Sequence, residues 1–248
     1  MLVKNHLVDQ GTFLFRWRSY VLLAFTPFMV LAASQGEPIE AALGAFWGEA
    51  FEIVMISLIV GGLSLRVLTV GFVTAGTSGR NVQGQVASRL NTTGAYSTMR
   101  NPLYFANSMM YVGILMSAQS LALGALLLFA LVIYYERIIA AEENFLAGKF
   151  GDEYLDWASQ TPVFFPTFRN WQRPALGFCW RTALRREYPT VSGAMVLLFI
   201  IEAAQHTLGA EDAPLGLEEY SLLAVALVFA IAIDQIKKRT TWLKVKGR

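Results

Sequence analysis

Cysteine, histidine and charge are all scarce in this chain, and each scarcity removes a class of function. One cysteine, Cys179, leaves no partner for an internal disulfide and no cysteine cluster for a metal. With only His6 and His206, a histidine metal centre is not expected either, so no metal site is expected. Only 15% of the residues are charged, against roughly 25% in an ordinary soluble domain, while 55% are hydrophobic. The net charge is +2, and no Lys/Arg block interleaves with aromatic residues as a strand-binding groove requires. Nucleic acid is therefore not an expected partner. The N-terminus, with Asp9 and Gln10 before Arg16 and Arg18, shows no small-residue cleavage pattern behind its apolar run. That run is expected to stay as a helix.

What the chain has in abundance is unbroken hydrocarbon. The blocks Ile53 to Leu65, Leu121 to Ile133, Val191 to Ile201 and Leu222 to Ile233 are too continuous for one face of an amphipathic helix. The expected fold is all-α: a polytopic transmembrane helix bundle of about six spans, with five as the alternative count. The spans are placed at 17–33, 51–73, 102–117, 120–141, 191–205 and 220–236. The third and fifth are short for a bilayer. Only Ala118 and Gln119 separate the third from the fourth, which predicts a tight antiparallel hairpin. The 248 residues leave no room for a separate soluble domain, so 1–248 is read as a single membrane domain.

The distribution of Lys and Arg sets the expected orientation. Segments 34–50, 118–119 and 206–219 contain none, and the first and last are acidic through Glu37, Glu40, Glu49, Glu211, Asp212, Glu218 and Glu219. The basic residues are assigned to the other side: Lys4, Arg16 and Arg18, then Arg80 and Arg89, then the segment from Lys149 to Arg186, then the tail from Lys237. Both termini are thus expected in the cytoplasm, in the inner membrane if the protein is bacterial. The Gly/Ser/Thr-rich stretch Gly76 to Gly84 reads as a loop. Residues 152–188 mix Trp157, Trp171 and Trp180 with Arg169, Arg173, Arg181, Arg185 and Arg186, which suits a headgroup-level interfacial segment after the fourth span. Glu52, Glu202 and Asp234 fall near span ends and are read as interfacial.

Two constellations carry possible chemistry. The first runs from Leu90 through Gly94, Tyr96 and Arg100 to Asn101, Pro102 and Tyr104. Asn101 is expected to cap the third span and Pro102 to start it, leaving free N–H groups and a positive dipole end beside Arg100. A carboxylate or phosphate suits such a place. The alternative is a plain helix start with Arg100 as an interfacial anchor, Gly94 making a turn and the tyrosines belonging to the aromatic belt.

The second is Glu142 and Glu143, expected at the end of the fourth span and followed by Phe150, Gly151, Tyr154 and Pro166. No basic residue lies three or four positions from either acid, so any partner comes from another element, unless the pair is simply a solvated helix end. The hairpin returns Arg100, Tyr104, Glu142 and Glu143 to one membrane face. An anion site beside two acids suits a zwitterionic, partly cationic ligand such as an amino-acid-like sulfonium.

With these residues in place, the pattern Leu90, Gly94, Tyr96, Arg100, Pro102, Tyr104, Glu142, Glu143, Phe150, Gly151, Tyr154 and Pro166 resembles the isoprenylcysteine carboxyl methyltransferase and phospholipid methyltransferase superfamily of integral membrane enzymes. The resemblance covers 80–166, a cofactor-binding core flanked by N-terminal spans at 17–73 and by the interfacial segment and two further spans at 167–248. It implies S-adenosylmethionine-dependent methyl transfer, with the cofactor held from the cytoplasm and a lipid or lipophilic acceptor entering from the bilayer. Two positions depart from the family pattern: Asn101 stands where His is usual, and Ala106 where Gly is usual. Asn101 can donate a hydrogen bond but cannot act as a base.

On this reading Arg100 and Glu143 are the candidate catalytic residues. Gly94, Tyr96, Arg100, Asn101, Pro102, Tyr104, Glu142, Glu143 and Tyr154 are the cofactor-binding set. Arg100 would take the cofactor carboxylate, an acid its amino group or ribose hydroxyls, and the tyrosine rings would wall the sulfonium. Arg169 or Arg173 would orient an anionic headgroup. The competing readings are a same-fold enzyme with another cofactor, and a transporter or scaffold in which Arg100 and Glu143 form a structural ion pair.

Overall fold

The computed structural model describes residues 3–33, 38–74, 87–117, 120–208 and 215–248. Arg80, the loop at 76–84, the turn residues Ala118 and Gln119, and Glu37, Glu211 and Asp212 lie outside the described residues. Among the described residues every regular element is helical: α1 (Val3–Val21), α2 (Thr26–Ala33), α3 (Pro38–Leu43), α4 (Ala45–Phe72), α5 (Pro102–Met116), α6 (Leu121–Phe150), α7 (Asp152–Gln160), α8 (Trp180–Leu208) and α9 (Leu217–Arg239). Of these, α4, α6, α8 and α9 are long and apolar enough to cross a membrane. The chain is therefore a helical integral membrane protein.

The first expected span, 17–33, is not one helix. α1 ends at Val21, a 3-10 turn occupies Leu22–Phe25, and α2 restarts at Thr26 for eight residues. Pro27 accounts for the restart, because it has no N–H to continue the ladder of α1. α1 instead lies against α6, where Gly11 allows the backbones to touch: a Cβ there would fall 1.9 Å from the Arg137 carbonyl oxygen. Gln10 Oε1 accepts from Arg137 Nε at 3.0 Å, and the Arg18 carbonyl accepts from the Tyr134 hydroxyl at 3.2 Å, so the two helices are antiparallel.

The third expected span is α5, 15 residues and thus only about 22 Å long. It is packed into protein along α4, antiparallel to it, with glycines facing both ways. A Cβ on Gly62 would meet the Ala106 carbonyl oxygen at 2.5 Å, and one on Gly113 would meet the Met55 carbonyl oxygen at 2.8 Å. Ala106 is fully buried here; the close approach that a glycine would give at its position is supplied by Gly62 across the interface.

Three further expectations change. α6 continues to Phe150 and stops at Gly151, whose φ of 55° ends it, so Glu142 and Glu143 sit about two turns inside the helix and are not at its dipole end. Residues 180–188, read as interfacial, are the first turns of α8, which is far longer than 191–205. Arg66 and Arg137 lie within α4 and α6 and not in the connecting segments to which the basic residues are assigned. The tail returns to the same end of the bundle as α7: Arg248 donates to the carbonyls of Gly71 and Gly177, at 2.7 and 2.5 Å.

Candidate active site

The stretch before α5, which carries a 3-10 turn at Gly94–Ser97, is held by a second irregular segment, 161–175. Backbone and side-chain bonds stitch the two together: Arg100 N to the Pro162 carbonyl at 2.8 Å, Thr167 N to the Thr98 carbonyl at 2.9 Å, and Gly94 N to the Gln172 carbonyl at 3.0 Å. Ser97 Oγ accepts from Gln172 N at 3.0 Å. Gly94 needs its freedom here, with a φ of 63°. This stitching also explains why Asn101 is not the side-chain cap that was expected. It occupies the N-cap position, but its Nδ2 donates to the Val163 carbonyl at 3.0 Å and no side-chain cap is made. Asn101→Ala is expected to cost about 1 kcal/mol in detergent denaturation, the worth of one hydrogen bond of this kind.

Two pairs cross from α5 to α6. The Tyr104 hydroxyl donates to Glu142 Oε2 at 2.7 Å, and Arg100 Nη1 lies 3.2 Å from Glu143 Oε1. The partner that the two acids lacked on their own helix thus comes from the start of α5. Beneath them is a cavity of about 710 Å³, well within the range of small-molecule sites. Of the expected binding set, Tyr96, Arg100, Asn101, Pro102, Tyr104 and Glu142 line it. Glu143, Tyr154 and Gly94 stand behind the wall: Glu143 pairs with Arg100, Tyr154 packs against Trp157 with tilted rings and centroids 5.7 Å apart, and Gly94 faces Pro174. Arg169 and Arg173 are exposed and do not line the cavity.

Three buried donors around this cavity have no hydrogen-bond partner: Asn91 Nδ2, Arg100 Nε and Trp157 Nε1. Orphaned buried donors are uncommon in folded proteins, and around a cavity they are groups that a water or a ligand can satisfy. Burial, followed by the nearby Glu142 carboxylate, pushes the Tyr96 phenol well above its usual range. Burial and then Glu143 push Tyr154 up to about 12. Both hydroxyls are therefore protonated donors at neutral pH.

The sequence reading passed over a second polar group in the wall. Arg66 on α4 grips Glu187 on α8 with two bonds, Nε to Oε2 at 2.7 Å and Nη2 to Oε1 at 3.1 Å, and also donates to Asn107 on α5. The side chains are 12% and 4% exposed, so this is a buried pair tying three helices together. The available signal was Arg66 itself, an arginine inside an apolar run. Asn91 and Trp157 carried no such signal, since polar loop residues and interfacial tryptophans are common. At the far end of α8, where no metal site was expected, Glu202, His206 and Glu219 bring ligand atoms within 4.8 Å of one another.

Comparison with known proteins gives a partial match first. Residues 51–153, from within α4 to the start of α7, match the phospholipid methyltransferase family. The particular relatives bear other names. The nickel-cobalt-cadmium resistance protein NccN of Alcaligenes xylosoxydans xylosoxydans is 36% identical over 134 residues, covering 48% of this chain and 62% of the relative. The cobalt-zinc-cadmium resistance protein CzcN of Cupriavidus metallidurans is 34% identical over 134 residues, with the same coverages. The match thus spans less than two thirds of either relative. No solved structure matches the chain.

Proposed function

We propose that the protein transfers a methyl group from S-adenosylmethionine to a lipid or lipid-linked acceptor, with its pocket opening on the cytoplasmic face and both termini on that side. The observation that carries this reading is the set of partnerless buried donors, Asn91 Nδ2, Arg100 Nε and Trp157 Nε1, around a cavity whose other end is hydrocarbon. The residues present fit the cofactor. Donors and the Arg100 guanidinium suit its carboxylate and ribose oxygens, and the Glu142 carboxylate suits its ammonium group. When bound, S-adenosylmethionine would supply an electrophilic methyl group on a sulfonium.

The chain's own contribution is then positioning and exclusion of water. Glu143 holds the Arg100 guanidinium in place, and Tyr104 fixes one oxygen of Glu142. Tyr96 offers a protonated hydroxyl. Asn101 commits its amide to Val163 and takes no part in proton transfer.

The test is equilibrium binding of S-adenosylhomocysteine to the detergent-purified chain, paired with transfer of labelled methyl to lipid extract. Wild type is expected to bind. Arg100→Ala should weaken binding by about 10- to 100-fold, from the loss of a charge-assisted bond, and Trp157→Phe by less than about 10-fold. A folded wild type that neither binds nor transfers methyl would overturn the reading.

A second reading rests on the Glu202, His206 and Glu219 group together with the names of the two relatives. Carboxylate and imidazole donors suit a divalent transition metal, and on this reading the chain serves metal resistance. Titration with Ni²⁺, Co²⁺, Zn²⁺ and Cd²⁺ decides it. Binding that His206→Ala abolishes supports it, and no binding removes it.

A further inference from the structure

α8 carries polar side chains toward both of its ends. Glu187 lines the cavity near one end, and Glu202 and His206 lie near the other, in a helix long and apolar enough to cross a membrane. At 1.5 Å per residue, Glu187 and His206 stand about 28 Å apart along the axis, close to the thickness of a bilayer's hydrocarbon. The polar end of the cavity and the Glu202 and His206 pair therefore belong to opposite faces of the membrane domain. Segment 206–219 contains no Lys or Arg, as a connection on the face away from the cytoplasm should.

α9 returns antiparallel to α8. The Tyr188 hydroxyl donates to Asp234 Oδ1 at 3.2 Å toward the cavity end, and the rings of Phe199 and Tyr220 lie 6.1 Å apart toward the other. This return brings Glu219, in the first turn of α9, to the α8 pair. Glu202 and His206 are four residues apart and share a helix face, with His206 Nε2 3.8 Å from Glu202 Oε1. One ligand atom from each of the three side chains lies within 4.8 Å of the other two. Two donors at about 2.1 Å from a zinc ion stand roughly 3.3 Å apart in a tetrahedron, so small side-chain adjustments bring all three onto one ion.

Two further observations point to a cation at this place. Glu219 Oε2 is buried and has no hydrogen-bond partner, an uncommon state for a carboxylate oxygen. Glu202 and Glu219 also bring two carboxylates together across the helix pair, and like charges at that separation repel unless a cation stands between them. The His206 side chain is 16% exposed and that of Glu202 50%, so the group is walled on one side and reachable from solution on the other.

Resting on the metal-binding reading, we propose that Glu202, His206 and Glu219 form a clasp that takes a divalent cation such as Zn²⁺, Ni²⁺ or Co²⁺ from the membrane face opposite the cavity and joins α9 to α8. The imidazole favours these ions over Mg²⁺ and Ca²⁺, which prefer all-oxygen sites. The bound ion is structural and takes no part in chemistry at the cavity, because the thickness of the membrane separates the two.

The experiment first measures the melting temperature of the full chain in detergent with Zn²⁺, Ni²⁺, Co²⁺, Mg²⁺ or Ca²⁺. At about 100 times its dissociation constant, each of the first three should raise it by about 5–10 °C, and Mg²⁺ or Ca²⁺ at the same concentration by much less. Glu219→Gln and His206→Gln should each weaken Ni²⁺ binding by at least about 10-fold. The metal-free melting temperature of Glu219→Gln should stay at or above that of wild type, since one of two facing carboxylates is gone. The face is then read in sealed proteoliposomes with a membrane-impermeant fluorescent maleimide. It is attached at Leu208→Cys beside the clasp, in a Cys179→Ser background, or at Cys179 of wild type, which precedes the other end of α8. External Ni²⁺ should quench the first label at once and leave the second bright. Ni²⁺ binding unchanged in Glu219→Gln, or quenching at Cys179 and not at Leu208→Cys, overturns the clasp while the metal-binding reading stands. Folded wild type that binds none of the ions strikes both.

Discussion

Arg66→Met is expected to destabilise the folded protein by about 3–5 kcal/mol, the cost of leaving a buried carboxylate without its cation. Glu187 is 4% exposed at its side chain, and both of its oxygens are bonded to the Arg66 guanidinium. Removing that guanidinium strands the acid among α4, α5 and α8 and also deprives Asn107 of its donor. Glu187→Leu should be comparably harmful, because it strands the arginine instead. The double variant Arg66→Met, Glu187→Leu should recover most of the loss, since an apolar pair of similar volume replaces a buried ion pair at little or no net cost. Denaturation of all four proteins in one detergent measures the cycle. Additive losses in the double variant would show that the pair is not the reason for either effect.

The second large effect is expected at Gly62. Substitution by leucine should prevent α4 and α5 from packing at their present separation and leave little folded protein. The obstacle is backbone: a Cβ would lie 2.5 Å from the Ala106 carbonyl oxygen and 2.9 Å from Met110 N, and neither atom can swing aside as a side-chain tip can. Overpacking of flexible neighbours typically costs about 1–3 kcal/mol, and a clash with a helix backbone lies at or beyond the top of that range. Gly124→Leu is the matched control, since a Cβ there meets nothing within 4 Å. Comparable yields and melting temperatures for the two variants would contradict this account of the α4 and α5 interface.

The two interfaces differ in how legible they were. Hydropathy alone located α4, α6, α8 and α9, because a run of apolar side chains is energetically bound to leave water wherever it stands in the chain. It misplaced the ends of α6 and α8. Helix propensity continues past the last apolar residue, so Glu142 to Phe150 and Trp180 to Tyr188 remain helical where hydrocarbon runs out. It also joined α1 and α2 across the 3-10 turn at Leu22–Phe25, where the N–H missing from Pro27 rather than hydropathy decides.

For the site, the short hairpin between α5 and α6 was enough to bring Arg100 and Tyr104 to the acids, and each acid meets one of them. The role of Asn101 was not legible, because its partner, the Val163 carbonyl, comes from a loop 62 residues away. The same holds for Arg66, whose burial depends on α8 supplying Glu187 at a separation of 121 residues.

The sequence by itself thus determined what must be out of water and which polar residues share the hairpin's end, because hydrophobicity and short connections act locally along the chain. The tertiary structure alone decided which polar atoms stay without partners, where Arg66 finds its acid and how closely Gly62 lets α4 and α5 approach. Those depend on distances between elements far apart in sequence, which packing sets and composition does not encode.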